Sequence, residues 1–227
     1  MAKKHPPQRF FCGCIQQLGD GSPSLKLPTN RPYVLIRDEL PGWSKDDIWS
    51  WLKEGHQRWG EVCDWRAQRI NDLSEAGGSG IVQLVTVEDL GGGGVLADMQ
   101  LPYPNARILR MRINSRIKWK PTDGKMAAGT IDPIRTLEHE TGHFMGHMHF
   151  PEGAPAELME PFISQSIIRP QPTEAAVSAR WFGQPTTPPP PAPPPTPDPE
   201  STPSFMIIID QHKQKIAGYD IKYNPRV

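Results

Sequence analysis

The amino-acid sequence predicts an α+β fold, and three observations carry it. Four runs have strand character, at 33–37, 81–87, 95–101 and 109–120. Two stretches, 45–63 and 132–145, combine helical spacing with helix-start chemistry. A proline-rich tract at 184–203 then separates the last pair of strand-like runs from everything before it. The predicted organisation is therefore an irregular N-terminal segment (1–30), one folded domain (31–183), a Pro-rich linker (184–203) and a C-terminal β-hairpin extension (204–227).

The elements follow in order. Residues 33–37 (YVLIR) are β-branched and apolar, and Pro41-Gly42 ends that strand. Ser44 is a good N-cap, with Asp46 and Asp47 in the first turn of the helix predicted over 45–63. Ile48, Leu52, Trp59 and Val62 fall close to helical spacing, so one face of that helix is buried and its tryptophans belong to the core. Residues 81–87 read as a buried strand between two glycine-rich breaks, and 95–101 as a short strand ended by Pro102. From 109 to 120 apolar and polar residues alternate, with Leu109, Met111, Ile113, Ile117 and Trp119 on one side. Arg110, Arg112, Arg116, Lys118 and Lys120 form a basic row on the other, read as a solvated face. Asp132 caps the next helix, with Pro133 at its first position. A further helix is predicted from Thr173, as N-cap, to Phe182, stopped by Gly183. The Pro-rich tract holds 11 of the chain's 27 prolines and suits an extended spacer. At ~3.1 Å per residue it reaches on the order of 60 Å.

Composition narrows the function. The 227 residues carry 25 Lys+Arg against 25 Asp+Glu, which excludes a globally basic nucleic-acid binder. No aromatics interleave on the basic face, so no nucleic-acid partner is predicted. No run approaches the ~20 apolar residues of a membrane span. The basic N-terminus lacks an apolar core, so no standard signal peptide is expected and the compartment stays open. Three cysteines are too few for a disulfide scaffold.

Four of the seven histidines lie between positions 139 and 149. His139-Glu140-Thr141-Gly142-His143 spells H-E-x-x-H, which on a helix puts both imidazoles on one face. Gly146 then permits a left-handed break, after which His149 can return to the same ion. Three neutral imidazoles leave one tetrahedral position open, the pattern of a catalytic zinc site. H-E-x-x-H alone arises by chance in on the order of one chain in a hundred. Gly146 and His149 at the right offsets lower those odds roughly several-hundred-fold. Glu140 is placed to touch a water on the ion, and His147 is read as a surface or outer imidazole.

The run from His139 to His149 resembles the long zinc motif of the metzincin metallopeptidases, in their matrixin branch. Leu158-Met159-Glu160-Pro161 resembles the Met-turn, which places Met159 beneath the metal. Gly94-Val95-Leu96-Ala97 resembles the matrixin edge strand above the cleft, and 162–183 the last helix. The resemblance spans about residues 31–183. It implies a mixed twisted sheet with long helices, and an active-site helix followed by a Gly turn and the Met-turn. It implies a zinc endopeptidase acting on protein or peptide substrates, with His139, His143 and His149 as ligands and Glu140 as general base. Leu96, Ala97, Pro161 and Phe162 are the implied substrate contacts. Relatives of this kind are usually secreted. Glu160 replaces the usual tyrosine and Phe150 a frequent serine, and no histidine lies between His56 and His139 to build a second zinc site.

Other readings stay open on sequence alone. A metal-binding assembly or anchoring protein could use residues 204–227 to hold a partner, although pure binding needs no Glu140. The same hairpin could instead block the cleft edge. Cys12 could act as a matrixin-like switch, Cys12 or Cys14 could pair with Cys63, or these could be ordinary thiols, and Cys63 reads first as a packing residue. Oligomeric state is not legible.

Overall fold

The computed structural model describes residues 26–91, 94–121, 131–149, 158–160 and 169–186. Among them, a five-stranded mixed sheet is accompanied by three α-helices. In chain order these are β1 (Tyr33–Ile36), α1 (Lys45–Gly60), β2 (Gln68–Ile70), a 3₁₀ turn (Leu73–Ala76), β3 (Val82–Glu88), β4 (Ala97–Met99), β5 (Ile108–Asn114), α2 (Pro133–Met145) and α3 (Pro172–Phe182). The strand order is β2-β1-β3-β5-β4. All neighbours are parallel except β4 and β5, so β4 is an antiparallel edge strand.

The period-2 alternation assigns the two faces. Val34, Ile36, Val85, Met99, Leu109, Met111 and Ile113 point inward and share one core with Ile48, Leu52 and Trp59 of α1 and Leu137, Phe144 and Met145 of α2. One apolar stripe on each of α1 and α2 thus meets one face of the sheet, the layering of an α+β domain. Ser44 caps α1 as the sequence implies. Its hydroxyl accepts from Asp47 N–H at 3.2 Å, and the Asp47 carboxylate accepts from Ser44 N–H at 2.9 Å. Arg58 of α1 reaches across to Glu138 of α2 at 2.9 Å. No helix among the described residues is long and apolar enough to cross a membrane.

The structure departs from the sequence reading in several places. The alternating run at 109–120 yields a strand only to Asn114. The parity survives the turn that follows because Trp119 is buried, pairs with Ile131 in an isolated bridge, and donates its indole N–H to Asn114 O at 3.0 Å. The strand expected at 95–101 shrinks to three residues. The basic row is less naked than its sequence suggests. Arg110 pairs with Glu88 of β3, Arg112 with Asp98 of β4, and Arg116 with Asp89 at 2.7 Å. Such exposed pairs are each worth about 0–1 kcal/mol, but they offset the three arginines of the row. Strand β2, too short to show alternation, escapes sequence reading altogether. Helix α3 begins two residues earlier than expected, with Gln171 as N-cap and Pro172 in the first turn, so Thr173 is not the cap.

Candidate metal centre

Helix α2 is built to deliver two imidazoles. Asp132 Oδ1 accepts from Ile134 N–H at 2.9 Å, and Pro133 supplies a helix-ready φ where no N–H is needed. At the other end Gly146 adopts φ 115°, a left-handed conformation that favours glycine. Its N–H and that of His147 close back onto Gly142 O at 3.2 and 2.9 Å. The chain reverses there and brings His149 back over the helix.

The three predicted ligands converge. His149 Nε2 lies 3.2 Å from His139 Nε2 and 3.0 Å from His143 Nε2. All three ligand atoms fall within 4.8 Å of one another. Nitrogens sharing one tetrahedral ion at ~2.05 Å stand about 3.3 Å apart, which the two spacings to His149 match. The opposite ring nitrogens explain the aim. His139 Nδ1 meets Leu158 O at 2.7 Å, and His143 Nδ1 meets His147 O at 2.7 Å. A carbonyl only accepts, so each Nδ1 carries the proton and each Nε2 presents a lone pair. His149 can donate to at most one of the two, so the cluster keeps lone pairs facing one another. A divalent cation would resolve that repulsion.

Burial keeps the rings neutral. It is the first cause that pushes His139 down to about 3 and His143 well below its usual range, with neighbouring imidazoles adding to it. Burial likewise lowers His149 to about 4. Neutral imidazole is the form that binds metal. Glu140, fully buried, stands on the same helix beside His139.

The segment 158–160 supports the cluster from below. Leu158 O holds His139, and Met159, fully buried, packs against Gly142. A Cβ on Gly142 would come within 2.3 Å of Met159 Sδ and 2.9 Å of Trp59, so only glycine admits that methionine. Glu174 of α3, wholly buried, accepts from Met159 N–H at 2.6 Å and from Gln171 N–H at 2.7 Å.

No protein-family model matches the chain, and no curated protein matches it.

Of the remaining sequence-predicted positions, Leu96 and Ala97 are buried at and just before the edge strand β4, which α2 packs against. Their side chains face the core, so contact with a ligand there would be through main chain. Pro161 and Phe162 lie outside the described residues, as do Cys12, Cys14, Phe150 and the hairpin at 204–227. Cys63 is a buried free thiol bonded to Trp59 O, and burial pushes it up to about 12, so it is inert packing. Of the two readings of His147, surface or outer imidazole, the structure supports the second: it is buried, and its carbonyl orients His143. Sequence reasoning missed Glu174 and Ser178, the buried positions of α3. Their i,i+4 spacing was visible, but polar residues carry no hydrophobic signal.

Proposed function

We propose that the chain is a zinc-dependent endopeptidase of metzincin, matrixin-like type. The observation that supports it most is the convergence of three Nε2 atoms, two of them left with lone pairs because their Nδ1 protons are locked to main-chain carbonyls, beside a buried Glu140. Imidazole suits several divalent metals, and three histidines without a fourth protein ligand among the described residues suit catalytic zinc best. Two features beyond the motif agree with the resemblance: a buried methionine beneath the helix, and an antiparallel edge strand beside it.

His139, His143 and His149 would hold the ion. When bound, zinc supplies Lewis acidity to the scissile carbonyl and lowers the pKa of its water toward ~7. Glu140 then takes a proton from the attacking water onto a carboxylate oxygen and passes it to the leaving nitrogen. Strand β4 offers a sheet edge along which an extended peptide can add as a further strand. Its main-chain pairing would fix the scissile bond in register without demanding a particular sequence.

Glu140→Ala in the full chain should keep its zinc and lose casein cleavage by at least about 10²-fold. Near wild-type cleavage by that variant, or cleavage undiminished by a chelator, would refute the mechanism.

A further inference from the structure

Four histidines lie in the motif, and only three converge. The geometry points to the fourth, His147, as a positioning residue whose side chain clamps the turn that aims His143 at the metal. The inference rests on the metal-centre reading above and deepens it.

The main chain of His147 does two jobs at the end of α2. Its carbonyl receives the Nδ1 proton of His143 at 2.7 Å, and its N–H returns to Gly142 O at 2.9 Å. The aim of His143 is therefore only as firm as this one peptide. The residue before it is Gly146, which has no side chain to anchor the turn. Beyond the main-chain bonds to Gly142 O, the anchorage comes from the side chain of His147, and three residues of α1 and α3 supply it. Its ring stacks on Trp59 of α1, with centroids 5.0 Å apart and planes inclined 22°. Trp181 of α3 covers the ring at 4.9 Å. At its tip, Nε2 shares a 2.8 Å hydrogen bond with Ser178 Oγ, itself fully buried.

An apolar residue of similar size would fill the space between the indoles. It would leave the Ser178 hydroxyl buried without its imidazole, and lose the bond that fixes the rotation of the side chain. Groups that orient ligands in this way typically govern metal affinity by 10–100-fold. A residue that merely stabilised the fold would lower stability without touching the affinity of the folded protein.

The test is zinc affinity of the full chain, measured by competition with a chromophoric chelator where circular dichroism shows each variant folded. His147→Leu should weaken zinc binding about 10–100-fold, and Ser178→Ala several-fold in the same direction. His147→Gln, whose amide can still reach the hydroxyl, should recover part of the loss. The d–d spectrum of the cobalt-loaded protein should change in His147→Leu. Ile48→Ala, in the α1 core, should lower the melting temperature while affinity stays put. If His147→Leu does not fold, Ser178→Ala decides. Wild-type affinity in both His147→Leu and Ser178→Ala would overturn the clamp alone. A wild-type chain that takes up no zinc would overturn the metal-centre reading and the clamp with it.

Discussion

Helices α1 and α3 flank the same three-histidine cluster and bury different chemistry against it. Helix α1 buries Ile48, Trp51, Leu52 and Trp59, an apolar stripe pressed into the core. Helix α3 buries Glu174 and Ser178, and spends both on hydrogen bonds to the segments that orient the ligands. The contrast separates two requirements that a metal centre places on a fold. Apolar area supplies stability but tolerates small rotations of a side chain. An imidazole lone pair does not tolerate them, because its aim is set by a directional bond on the far side of the ring. Apart from Trp59, which stacks on His147, the α1 side should therefore respond to mutation mainly in stability, and the α3 side mainly in metal affinity and turnover.

The largest expected effect lies on the α1 side. Leu52 is fully buried, so Leu52→Ala should cost about 2–5 kcal/mol in urea unfolding of the metal-free chain. Zinc affinity of the folded variant should not change, and a parallel loss of affinity would erase the contrast.

Next comes acid sensitivity, which α1 also carries. The indole of Trp65 can only donate, so His56 Nδ1 accepts from it at 3.0 Å while Nε2–H donates to Gln83 at 3.0 Å. Burial holds this neutral ring down at about 4, against an ordinary value of 6.5. A folded value below the unfolded one means the unfolded chain binds the extra proton. The stabilisation is complete above pH 6.5 and is lost as pH falls toward 4, by about 3 kcal/mol in all. In the metal-free chain, His56→Gln should flatten that fall by about 1.4 kcal/mol per pH unit. An unchanged slope would show that His56 is charged or exposed in the fold.

The smallest stability effect belongs to α3. Glu174→Gln keeps the shape but gives up the charge on two bonds, and should cost about 1–2 kcal/mol. Its effect on turnover should exceed its effect on stability, because the Met159 segment also carries the carbonyl that holds His139. Full activity in this variant would make α3 ordinary packing.

The same contrast explains what could be read from sequence. The stripe of α1, the cap at Asp132, the break at Gly146 and the convergence of His139, His143 and His149 were all legible, because each follows from spacing or from one residue's backbone chemistry. The alternation of β5 was legible too, but its end was not: Trp119 kept its parity through a different contact. The support of the site was hidden. Leu158 O and His147 O act through main chain, where residue identity carries no information. Glu174 and Ser178 look like solvent-facing residues until the turn they bind is in place. Arg110 and Arg112 looked like a basic stripe because their partners, Glu88 and Asp98, come from other strands.

Metal analysis of the purified full chain, beside His143→Ala, tests the account most directly. One zinc per wild-type chain, lost from the variant at the same protein concentration, is the expected result. A wild-type chain free of zinc, or a variant that retains a full equivalent, would contradict the convergence of the three imidazoles on one ion.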